Sequence, residues 1–331
     1  MDSLIFAFNS VSPIIMTVLI GYILKKFGLM NDDFSRKANK LVFRVFLPVR
    51  LFLNIYGIKG GISSVKLDYV IYALIALLVI FALAIPSVIL ITKKRRCRGA
   101  LLQGIFRSNY ALIGIPLASL IVEEGGEEIA TVLSAFLVPA FNILAVIGLS
   151  IFNNEGKKPD FKKILLGIVK NPLIIGISAG LLALGIRAVL QNNDISFRLI
   201  DIPVVGKTAD YLSAIATPLA LIVLGAQFEF SAIPTLKNEI ISGIIMRSIV
   251  VPILGIGVAY LLFKDSDSFG GAQFAALVAA FCTPVAVSSV PMAQEMGADT
   301  DLAGQLVVFT TITSGLTVFI ASFVLKLVGI F

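Results

Sequence analysis

Ten apolar stretches follow one another along this 331-residue chain, at 4–25, 39–57, 69–92, 101–122, 129–152, 164–187, 209–228, 240–263, 272–294 and 302–325. Each comes near the roughly 20 residues that a helix needs to cross a bilayer. Short polar tracts separate them, among them Asn31-Asp32-Asp33, Glu123-Glu124-Gly125-Gly126 and Gly270-Gly271, and none is long enough to fold as a soluble domain. Hydrophobic residues make up 58% of the chain and charged residues 14%, with a mean hydropathy of +0.99. A soluble domain has roughly 45–50% and about 25%. The expectation is an all-α integral membrane protein with ten transmembrane helices.

The same scarcity of charge excludes chemistry. The chain has no His and no Trp, so it offers no imidazole base, no His metal ligand and no Ser-His-Asp triad. Cys97 and Cys282 are far apart and neither belongs to a CxxC pair, so both are expected as free thiols. No catalytic residue, metal site or cofactor is expected, and the chain does not read as an enzyme.

The net charge of +7 lies in short basic tracts between apolar stretches, a pattern that orients helices and does not bind nucleic acid. Lys25, Lys26, Arg36 and Lys37, then Lys93–Arg98, then Lys157–Lys163 fall in odd-numbered loops, whereas the acidic Glu123–Glu128 stretch falls in an even one. The positive-inside rule then puts odd loops in the cytoplasm and both termini outside a multi-pass cytoplasmic membrane protein. The first stretch has no basic n-region or cleavage motif, so it is expected as a retained span.

Five spans per half would give duplicated halves opposite orientations. Pro13, Pro48 and Pro116 are matched in order by Pro172, Pro218 and Pro291, with intervals of 35 against 46 and 68 against 73 residues. The division expected is a first five-helix repeat at 1–153, a short cytoplasmic linker at 154–163 and a second, inverted repeat at 164–331. The fourth span reads Arg107-Ser108-Asn109-Tyr110-Ala111-Leu112-Ile113-Gly114-Ile115-Pro116, and the ninth Thr283-Pro284-Val285-Ala286-Val287-Ser288-Ser289-Val290-Pro291. Proline removes an amide donor and clashes with the preceding turn, so each helix is expected to break near Gly114 and Pro116, or near Pro284 and Pro291. Paired broken helices at matching positions of two halves point to a transporter's binding site.

The Ser108–Leu117 string resembles the fourth-helix motif of the auxin efflux carrier family, and Gly225-Ala226-Gln227 and Pro291-Met292-Ala293 with Gly297-Ala298-Asp299 are similar to further family motifs. That family includes plant PIN auxin transporters and bacterial malonate and malate permease-like proteins. The resemblance implies two inverted five-helix repeats whose fourth and ninth helices cross, with a substrate carboxylate held near the crossing by an asparagine that matches Asn109. The long mid-chain loop of the plant carriers is missing here, which points to a compact prokaryote-type carrier.

Asn109 is the foremost substrate-binding candidate, because an amide offers donors to a carboxylate without burying a charge. Arg107 reads equally as a lure for an anion and as a snorkelling arginine. Arg50 and Asn54 share a helical face that could line the path, with a structural hydrogen bond the plainer role for Asn54. Tyr110 adjoins Asn109, and Thr283, Ser288 and Ser289 offer hydroxyls, or simply back-bond to helical carbonyls. The function expected is a secondary transporter of a small organic anion, facilitated or potential-driven, with the lipid bilayer and a homodimer as partners. An anion channel and a sodium-coupled carboxylate symporter stand as alternatives.

Overall fold

Each apolar stretch becomes helix. The computed structural model describes residues 2–57, 67–153, 166, 169–193, 195–266 and 269–331, so the linker expected at 154–163 lies outside the described residues. The passes, in order, are α1 (Asp2–Lys26), α2 (Asp32–Leu41) running through a π-turn into α3 (Leu47–Tyr56), α4 (Asp68–Ile91), α5 (Arg95–Phe106) with α6 (Ile115–Ile121), and α7 (Gly126–Asn153). They continue with α8 (Pro172–Gln191), α9 (Pro203–Ala226), α10 (Lys237–Ile245) and α11 (Val258–Phe263) as one pass with two π-turns, α12 (Gly271–Cys282) with α13 (Ser289–Glu295), and α14 (Thr300–Leu327). Among the described residues, six of these passes are individually long and apolar enough to cross a membrane. Caps set several starts: the side chains of Asn31, Asn171 and Asp299 accept from the amides of Phe34, Leu173 and Leu302 at 2.8–2.9 Å. Pro172 and Pro203 begin α8 and α9, where no amide donor is needed.

The contacts of the two halves exchange with one another. The first pass packs on the seventh, α1 on α9, and the sixth packs on the second, α8 on α3. Glycines permit both approaches at equivalent places. Gly21, eight residues after Pro13, lies against the backbone of Ile222, and Gly180, eight after Pro172, lies against Phe52. Phe52 and Ile222 themselves follow Pro48 and Pro218 by four residues each. A Cβ on Gly21 would overlap the Ile222 carbonyl, so only glycine lets these backbones meet. This is the arrangement of two inverted five-helix repeats.

The fourth and ninth passes are broken and cross. The ninth break includes Pro284, as expected, whereas the fourth lies earlier than Gly114 and Pro116 imply. The fourth leaves the helix at 107–109 and the ninth at 283–288. Pro291 sits in the first turn of α13, where a missing donor costs nothing, and Pro116 follows directly on the π-turn Tyr110–Gly114 that runs into α6. The two extended stretches pair antiparallel at Ser108 and Val285. Asn109 donates its amide to the Pro284 carbonyl at 2.8 Å, and Ala286 donates to the Arg107 carbonyl at 3.3 Å. The Val285 amide donates to Thr310 Oγ1 at 3.1 Å. Backbone freed from the helices is thus satisfied inside the protein, as irregular chain at membrane depth requires.

Candidate functional site

A polar cavity of about 80 Å³ lies against the crossing, walled by α3, α7, α9 and the two extended stretches. From α3 come Arg50 and Asn54, one helical turn apart; from the fourth-pass break Arg107, Ser108 and Asn109; from α7 Asn142, from α9 Thr217 and from the ninth-pass break Ser288. Among the described residues, two guanidinium groups line this cavity and no carboxylate does.

Arg107 does not reach back to the basic tract. Only 2% exposed, it donates to Gln103 Oε1 at 2.9 Å, Asn142 Oδ1 at 2.7 Å and Ser288 Oγ at 2.9 Å, with longer contacts to Ser289 Oγ and the Met292 sulfur. All five acceptors are neutral, so its positive charge is uncompensated within this shell. Gln103 sits one turn before Arg107 and orients it. Arg50 donates to Thr217 Oγ1 at 2.6 Å across the second and seventh passes. Asn109 is 9% exposed, and its side-chain amide nitrogen has no hydrogen-bond partner among the described residues. A buried donor left unpaired costs about 1–3 kcal/mol, a cost that a bound acceptor removes.

The other sequence candidates are placed differently. Tyr110 borders the cavity, but its hydroxyl donates to the Ala130 carbonyl at 2.9 Å. Thr283 is fully buried outside the cavity wall, 2.6 Å from Ser108 Oγ and bonded to the Ala279 carbonyl. Ser289 is buried and reaches the cavity only through Arg107. Gly114 brings the fourth pass against Ala279 of α12, and Pro284 supplies its carbonyl to the crossing. Neither points a side chain at the cavity. Gln103, Ser108 and Thr217 were not singled out by sequence. Only the spacing of four between Gln103 and Arg107 hinted at one of them.

A second cavity of about 240 Å³ shares Asn54, Ala111 and Val138 with the first and continues along the last turns of α3 towards Gly57, Thr131 and Ser134. At the opposite end of the passes, Asn39 of α2 donates to Gln294 of α13 at 2.8 Å, and Arg44 pairs with Glu295 at 3.4 Å. The site therefore extends towards the α6 face and is clasped on the α13 face.

A family profile described as membrane transport protein matches residues 6–322. The chain belongs to this family. The transporter is 23% identical over 320 residues to an uncharacterized transporter of Methanothermobacter thermautotrophicus, covering 92% of this chain and 94% of the relative. It is 28% identical over 250 residues to an uncharacterized transporter of Methanocaldococcus jannaschii, covering 72% and 74%. Among solved structures, the sodium proton antiporter MjNhaP1 of Methanocaldococcus jannaschii shares its fold, with a TM-score of 0.51 and 15% identity over 99% of this chain and 97% of that one. The transporter is a multi-pass membrane protein.

Proposed function

We propose that this transporter moves a small organic anion, a compact carboxylate, by alternating access at the crossing of the fourth and ninth passes. The observation that carries this reading is a cavity lined by Arg50, Arg107 and the unpartnered Asn109 amide with no acid among its lining residues. A carboxylate would accept from the Asn109 amide and balance buried positive charge in one step. The volume exceeds the roughly 10–15 Å³ that holds one water, and suits a small acid. The basic loops face the cytoplasm in this reading and both termini lie outside, so the cavity opens outwards. An inside-negative potential then drives the anion out, by about 2.3 kcal/mol per charge per 100 mV.

Proteoliposomes with a clamped potential test this directly. Labelled mono- and dicarboxylates should enter a positive-inside lumen at a saturable rate that survives replacement of sodium by choline. A sodium-coupled cycle is the competing reading, favoured by the fold shared with a sodium proton antiporter. Uptake that stops in choline decides for it. Transport of amines or neutral solutes with no carboxylate uptake overturns the anion assignment.

A further inference from the structure

Arg247, carried by the π-turn Met246–Val250 of the eighth pass, is 2% exposed and lies outside the cavity wall. Its guanidinium gathers backbone carbonyls from two other passes. Nε donates to Thr283 at 3.0 Å, one terminal nitrogen to Ile105 and Phe106 at 3.3 and 3.4 Å, and the other to Ala280 and Thr283 at 3.3 and 2.6 Å. These carbonyls are the C-terminal ends of α5, which closes at Phe106, and α12, which closes at Cys282. No carboxylate is among its partners.

A helix C-terminus carries about half an elementary negative charge. Two of them meeting at one point make about one, which a single guanidinium balances. In transporters with discontinuous helices, such unwound carbonyls and half-helix ends are where a coupling cation binds. We propose that Arg247 is a resident cation. It fills permanently the place where the two half-helix ends would draw a mobile one, and it fixes the crossing as a single unit. With the negative poles neutralised from behind, the charge of Arg107 on the cavity side is left for the substrate. Arg247 is thus a positioning residue that sets the field of the site without touching its contents.

The test compares Arg247→Met, which removes the charge, with Arg247→Lys, which keeps it, by thermal melting of purified protein at constant ionic strength. It needs no substrate, so an error in the substrate assignment would leave its outcome unaffected. The Met variant should melt lower than the parent in choline chloride by on the order of 10 °C. Its midpoint should climb as sodium or guanidinium replaces choline, while the parent and the Lys variant stay indifferent to the exchange. In liposomes, anion uptake by the Met variant should acquire a dependence on the same cations, which a merely structural role does not predict. A Met variant that folds and melts identically in all three salts overturns the proposal. If the Met variant cannot be purified, a folded Lys variant supports it, and equal failure of both overturns it.

Discussion

At the scale of single residues, the site is held together by neutral partners around a buried cation. Arg107 spends its donors on Gln103, Asn142 and Ser288, whereas the Asn109 side-chain nitrogen bonds to nothing among the described residues. Asn109→Ala should therefore leave stability within about 0.5 kcal/mol of the parent, since it deletes no internal bond. Uptake should fall at least tenfold, on the order of 1.4 kcal/mol or more of lost substrate binding. Melting curves and initial rates on the same preparation check both halves, and unchanged uptake would remove Asn109 from the site. The place of Asn109 on the cavity wall was legible in the sequence because its string resembles a family motif and an amide in an apolar span offers donors without burying a charge. The work of Arg247 was not. Its partners lie 33 to 142 residues away, and nothing in its own helix shows that they converge.

Among elements, periodicity and length alone were enough to draw the ten passes, because a bilayer admits few folds. The breaks were legible from proline only in part. Pro284 lies inside the ninth break, whereas the fourth pass unwinds at Arg107–Asn109, well before Pro116. Helix approach is controlled by glycine. Gly21→Ala would drive a methyl into the Ile222 carbonyl, backbone that cannot rotate away, and should cost about 1–3 kcal/mol. Gly185→Ala in α8 meets nothing within 4 Å and should gain about 0.5–1 kcal/mol from backbone entropy. Thermal midpoints of the two variants should move in opposite directions, and a shared direction would contradict the packing described for α1 and α9.

Over the whole molecule, the exchange of contacts between halves coexists with chemistry that does not exchange. The clasp joining Asn39 and Arg44 to Gln294 and Glu295 belongs to one face only. Asn39→Cys with Gln294→Cys should be bridged by a short bis-methanethiosulfonate reagent, since the native side chains meet tip to tip at 2.8 Å and two shorter cysteines leave a gap to span. Transport should stop on cross-linking and return with reductant, read as uptake before and after treatment; uptake that persists through complete cross-linking would rule out opening on that face.

The corresponding places on the opposite face follow from the paired prolines and half-helices. Asn39 and Arg44 precede Pro48 by nine and four residues, and Ala209 and Ala214 precede Pro218 by the same counts. Gln294 and Glu295 follow Pro291 by three and four residues, as Ser119 and Leu120 follow Pro116. One end of the carrier thus fastens with a hydrogen bond and an ion pair, and the four corresponding residues at the other end carry no charge. Salt, which weakens the ion pair and leaves the hydrogen bond in place, therefore acts on the hold of that one face and becomes a throttle on how long the carrier stays shut there.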